Sequence, residues 1–221
     1  LLFFVSKVSE KTGPSIEQVN TIQAIKIAFS DRSYTLLFFG FFVCGFHVQF
    51  IGTHLPAYII DEGLAPIIGA WSLALIGLFN IAGSFFSGWS GQVYSKPKLL
   101  SGIYAFRAAV ISAFIFVPLS ETSVLIFSAA MGILWLSTVP LTTGLIAQTQ
   151  GLKFLSTLAG LVFFSHQVGG FLGAWLGGRL YDLTGNYEAM WIAAILFGLL
   201  ATIIHLPIRE TAGKLAQVEF K

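Results

Sequence analysis

The sequence predicts an all-α membrane protein, a bundle of six transmembrane helices. Three observations carry that prediction. Six hydrophobic stretches, separated by short polar joints, run from about Tyr34 to about Leu206, and each is long enough to cross a bilayer, which takes about 20 apolar residues. Tyr34–Ile60 and Gly63–Ser95 contain no Asp, Glu, Lys or Arg at all, and a water-soluble domain has nowhere to put so much uncharged surface. The composition agrees: 56% of residues are hydrophobic and 10% charged, with a mean hydropathy of +0.83, where soluble domains carry about 25% charged residues.

Taken in order, Leu1–Val5 is an apolar scrap that stops at Lys7. It is too short for a signal-peptide core and reads as the tail of a preceding membrane segment, the chain then being a fragment or half of a larger protein. Lys7–Arg32 is polar. Ser15 and Gln18 have capping-box spacing, and Ile16, Val19, Ile22, Ile25 and Phe29 recur every three or four residues. That pattern predicts a short amphipathic helix lying on the membrane surface. The six spans are expected at approximately 35–60, 67–91, 98–118, 123–147, 154–178 and 187–207. Residues 1–33 thus form the end of a preceding helix plus a loop, 34–208 the membrane domain and 209–221 a tail.

Basic residues set the orientation. With a cytoplasmic N-terminus, that side holds Lys7, Lys11, Lys26, Arg32, Lys96, Lys98, Lys153, Arg209, Lys214 and Lys221. The other side holds only Arg179, and Arg107 falls within a span. This asymmetry follows the positive-inside rule and puts both termini in the cytoplasm. Because Lys and Arg sit in joints rather than in one patch, the net charge of +2 points to no nucleic-acid partner. The single cysteine, Cys44, excludes an internal disulfide.

Glycine marks expected helix contacts. Gly169, Gly173 and Gly177 recur every four residues, as do Gly170, Ala174 and Gly178, and Gly83, Ser87 and Gly91 repeat the spacing in the second span. Small residues at that interval let helix backbones approach closely.

The candidate site residues stand at the middle of the spans: His47, Asn80, Arg107, Trp135 and His166, one in each of five. Transporters build solute sites at this depth from several helices. His47, Ile51, His54 and Tyr58 form one stripe, either lining a water-filled cavity or hydrogen-bonded between helices. The two histidines are about 10 Å apart along the helix, too far for one metal. A central arginine costs roughly 2.5–3.5 kcal/mol on insertion. Arg107 therefore needs a partner: a carbonyl or amide, a carboxylate from another segment, or an anionic ligand. His166, followed by Gln167, stands on the glycine face of the fifth span and is a candidate proton-coupling group. Asn80, Ser84 and Ser87 form a further polar stripe, as do Trp135, Thr138 and Thr142.

Other classes fit less well. Gly88-Trp89-Ser90-Gly91 matches the G-x-S-G motif of rhomboid-type proteases, but Ser90 lies about 16 Å in depth from His166, beyond reach of a nucleophile and its base. No phosphate-binding loop, H-E-x-x-H or cysteine–histidine cluster occurs, so neither enzyme activity nor a cofactor is expected. A non-transporting receptor or scaffold, or an inactive half-transporter, is the alternative.

Gly88-Trp89-Ser90-Gly91-Gln92-Val93-Tyr94-Ser95-Lys96-Pro97-Lys98 resembles the cytoplasmic loop motif of the major facilitator superfamily, with Gln92 in place of the acidic residue and Ser95 of the later glycine. The stretch from Gly177 to Tyr187 resembles the turn before the last helix of that superfamily. His54-Leu55-Pro56-Ala57-Tyr58 and Phe164-Ser165-His166-Gln167 are similar to segments of its bacterial monocarboxylate-porter-like and oxalate/formate-antiporter-like branch. The resemblance implies the C-terminal six-helix half of a twelve-helix carrier in a bacterial inner membrane. Its partners would be a small solute such as a monocarboxylate, protons, the lipid bilayer and an N-terminal half that completes the cavity. It also implies that the first, second, fourth and fifth spans line the cavity. That favours His47, His54, Asn80, Trp135, His166 and Gln167 as solute contacts over Arg107.

Overall fold

A computed structural model describes residues 19–219. The chain runs through α1 (Thr21–Phe29), α2 (Arg32–Asp61), α3 (Pro66–Val93), α4 (Lys96–Phe116), α5 (Glu121–Leu134), α6 (Thr138–Gln150), α7 (Leu155–Thr184), α8 (Glu188–His205) and α9 (Lys214–Glu219), with no strand among the described residues. With α5 and α6 taken as one span, six helical segments are long and apolar enough to cross a membrane.

The fourth span, expected as one helix, is broken at Trp135–Ser137. Pro140 explains the break: it has no N–H to donate, and its ring crowds the carbonyl four residues earlier. That carbonyl, of Leu136, accepts instead from Val139 N at 2.9 Å. The fifth span continues past its expected end at 178 to Thr184, where Gly185 at φ +73° closes it with a left-handed cap. Gly177–Thr184, read from the sequence as part of a turn, is therefore helical.

Ser15 and Gln18 lie outside the described residues, as do Leu1–Val5. The capping box in the structure is one turn later. Asn20 Oδ1 accepts from Gln23 N and Gln23 Oε1 from Asn20 N, each at 2.9 Å. The expected stripe is met only in part: Val19 and Ile25 pack against the core. Ala24 and Ala28 are buried against the bundle, while Ile22 and Phe29 are 67% and 38% exposed, because α1 packs on the ends of α2, α7 and α9.

The spans pack in pairs, α2 along α7, α3 along α5 and α4 along α8, and glycine makes the closest seams. A Cβ on Gly169 or Gly173 would run into the carbonyls of Phe42 or Phe46, and one on Gly83 into that of Ile133. Gly45 and Gly132 supply the reciprocal close approaches, against His166 O and Ile76 O. The apolar core divides into two clusters. One holds Leu37, Phe41, Cys44, Leu100, Tyr104, Leu141 and Leu158; the other holds Phe46, Phe50, Ile111, Phe127, Met131 and Trp191. Along α2, α4, α7 and the fourth span the division falls at mid-length, the level of Arg107, Trp135 and His166.

At the tail end, Lys96 ties three segments together. Its Nζ lies 3.6 Å from Glu210 Oε1 and donates to Gln148 Oε1 at 2.8 Å, while Gln148 Nε2 donates to Glu210 O at 3.2 Å. The pair keeps some solvent contact, at 19% and 25% exposure, so Glu210→Gln should cost less than about 1 kcal/mol. A thermal-melt series in rising salt checks this: the gap to the parent protein should shrink as salt screens the pair.

Candidate functional site

The interrupted fourth span organises the middle of the bundle. A break inside a bilayer frees backbone groups that lipid cannot satisfy, so protein must do so. Arg107, from the middle of α4, meets the end of α5. Its Nε and Nη2 donate to Leu134 O at 3.2 and 2.6 Å, and Nη2 also donates to Trp135 O at 2.5 Å. A cation at a helix C-terminus also answers the negative end of the helix dipole. Asn80 Oδ1, from the middle of α3, accepts from Leu136 N at 3.0 Å. Ser87 Oγ, two turns on, donates to Ser137 O. Four consecutive residues thus find partners on two other helices.

Arg107 is fully buried, with Tyr104 stacked 5.3 Å from its guanidinium. Its partners are backbone carbonyls, the first of the three kinds the sequence left open. Trp135 caps α5 and is half-buried. Its ring reaches towards α2, where a Cβ on Gly52 would lie 3.8 Å from Cζ2.

The two α2 histidines turn away from solvent. His47 is fully buried and its Nε2 donates to Ala194 O of α8 at 2.7 Å; His54 Nε2 donates to Ala174 O of α7 at 2.8 Å. A carbonyl only accepts, so both rings carry their proton on Nε2. His47, His54 and the buried Ile51 lie at helix interfaces, while Tyr58, the last residue of that stripe, borders a cavity at the far end of the bundle. The exposed polar stripe of α2 is Gln49 and Thr53, which sequence reasoning missed. Its signal was present: two polar residues one helical turn apart in a charge-free span.

Gln49 lies against Gly170 of α7, beside the half-buried His166 and the exposed Gln167. His166 Nδ1 and Gln167 Oε1 are 3.2 Å apart, and the His166 ring lies 5.0 Å from that of Phe41. Intramembrane polar groups face the bundle interior or a water-filled space rather than lipid. Gln49, Thr53 and Gln167 therefore mark a face that borders water or protein. Asn80, Arg107 and Trp135 converge on the break, His166 and Gln167 on the α2–α7 face, and His47 and His54 on neither.

The segment Gly88–Lys98 is the end of α3, Tyr94–Ser95 and the start of α4, with Ser90 Oγ donating to Ser87 O of its own helix at 3.1 Å. A cavity of about 530 Å³ opens at the far end of the bundle, among Tyr58, Asp61, Glu62, Tyr187, Glu188 and Trp191, away from the polar level. Among the described residues no group of His, Cys, Asp and Glu could hold a metal ion.

This arrangement of paired spans with a polar mid-level meets its counterpart in sequence comparison. The Major Facilitator Superfamily pattern matches residues 1–174. The chain belongs to the major facilitator superfamily. Among its superfamily relatives, the uncharacterized MFS-type transporter YcxA of Bacillus subtilis (strain 168) is 27% identical over 181 residues, 80% of this chain and 44% of that protein. Monocarboxylate transporter 13 of Rattus norvegicus is 30% identical over 168 residues, 73% of this chain and 39% of that protein. The same transporter of Bos taurus is 29% identical over the same length. This facilitator chain spans less than half the length of these relatives. It is an integral membrane protein, with six apolar helical spans.

Proposed function

We propose that this chain is the C-terminal half of a secondary active transporter. It carries a small solute, an organic anion such as a monocarboxylate, by proton symport or exchange with alternating access. The observation that carries the reading is the polar level that divides the apolar core. Two groups of polar residues lie there: Gln49, Thr53, His166 and Gln167 on α2 and α7, and Trp135 and Asn80 at the interrupted span. Polar groups inside a membrane are costly and mark solute or ion pathways by default. The names of the relatives, monocarboxylate transporters among them, support the solute class.

In this reading an N-terminal six-helix half covers the polar face and completes the cavity. Both ends of the chain lie in the cytoplasm of a bacterial inner membrane, where the basic joints favour them. His166 is the main solute or proton contact, with Gln167 beside it and Asn80 and Trp135 as further contacts at the break; His47 and His54 hold helices together. The test is uptake of radiolabelled lactate by the full-length protein in proteoliposomes, with an inward proton gradient imposed. Accumulation that collapses with a protonophore is the expected result for symport, and counterflow against preloaded lactate that for exchange. No uptake in either format, for lactate or for other short monocarboxylates, overturns the solute class.

A further inference from the structure

An unbroken helix would satisfy the carbonyls of Leu134, Trp135 and Ser137 by itself. This span instead draws on Arg107, Asn80 and Ser87 to hold it open. Arg107 is the most demanding of the three, a buried cation whose hydrogen bonds among the described residues all go to this break. Its planar fork reaches two successive carbonyls at once, which the single ammonium of lysine does not do. The break in turn places two side chains. Trp135 sits on it directly, and Asn80 is fixed by it, because its Oδ1 accepts from both Leu136 N at 3.0 Å and Ser84 Oγ at 3.2 Å. With the oxygen so engaged, the amide's NH₂ edge is the one left to meet a ligand, and it recognises only acceptors.

We propose that Arg107 is a positioning residue of the solute site. From a helix that does not meet the solute, it fixes the break, and the break orients the Trp135 ring and turns the Asn80 NH₂ towards an acceptor oxygen of the solute, such as a carboxylate. The inference rests on the transport reading in taking that wall as the solute site. The placement of Trp135 is measurable without any solute.

The experiment labels the full-length carrier with 5-fluorotryptophan and identifies the Trp135 resonance by its loss in Trp135→Phe. Arg107→Met should shift or split that resonance while the other tryptophans stay in place. It should also speed amide hydrogen exchange at the break about tenfold, the loss of one ordinary hydrogen bond. Arg107→Gln, which keeps two N–H donors without the charge, should return the resonance most of the way. An unmoved Trp135 resonance with wild-type exchange overturns the proposal, and so does a shift of all tryptophans together, the mark of a merely structural role. If Arg107→Met does not fold, Arg107→Gln and Arg107→Lys decide on the same criterion: a Trp135 resonance identical to wild type in both overturns it. Failure of the transport reading shows separately, as a wild-type carrier that moves no monocarboxylate while the Trp135 result stands.

Discussion

His166→Ala should lower solute uptake by roughly 10- to 150-fold, the range for losing one hydrogen bond to a charged group, and should leave the protein in the membrane. The two halves of this expectation have separate structural grounds. The half-buried His166 side chain lies between the exposed Gln167 and the buried Phe41 and Cys44, so in the transport reading alanine removes a solute or proton contact. The backbone of the same residue belongs to the α2–α7 seam, where its carbonyl closes against Gly45, and alanine keeps that carbonyl in place. Uptake at the wild-type rate across pH 5–8, with normal membrane levels, would remove His166 from the site. Loss of the protein from the membrane would instead assign it to packing.

Gly169→Val should lower the melting temperature of the detergent-solubilised protein by roughly 2–12 °C. That span combines an overpacking cost of about 1–3 kcal/mol with a shift of about 2–4 °C per kcal/mol for a chain of this size. A Cβ at Gly169 meets Phe42 O, with Phe42 C and Phe46 N at 2.9 and 3.1 Å. These are backbone atoms, which do not swing aside as a side-chain end does, so α2 and α7 must separate along their length. Gly160→Ala on the same helix is the control. A Cβ there meets nothing within 4 Å, and alanine suits a helix better than glycine, so its melting temperature should not fall. Equal effects at the two positions would show that the seam does not depend on glycine.

Much of the fold was legible because its signals are local. Apolar runs of bilayer length gave the spans, and small residues four apart marked α7 and α3 as closely packed helices, though not which helices they meet. Of the reciprocal glycines, Gly45 shares α2 with Gly40 and Gly52 but at no four-residue interval, and Gly132 follows Ser128 by four residues, a signal the sequence reading passed over. The break in the fourth span had a signal in Pro140, masked by an apolar run that continues on both sides. In α1, counting large apolar residues pointed to Ile22 and Phe29, which stay exposed, while the most buried contacts with the other helices are made by Ala24 and Ala28.

The site divides in the same way. The candidates Asn80, Arg107, Trp135, His166 and Gln167 stood out because a polar residue in the middle of an apolar run is costly and so conspicuous. Their directions were not readable. A helix that is hydrophobic all round gives no preferred face, so His47 and Gln49, two residues apart, look equally placed in the sequence. Only packing shows that His47 meets α8 and Gln49 the open side of α7.

The sequence by itself determined that the chain enters a membrane, where its spans lie and which level carries polar groups. Each of these follows from the cost of moving a residue type out of water. Only the tertiary structure decided what those groups face, since the partner of Arg107 is a pair of carbonyls 27 and 28 residues away on another helix. Backbone atoms carry no residue identity, and no spacing in the sequence marks them as partners.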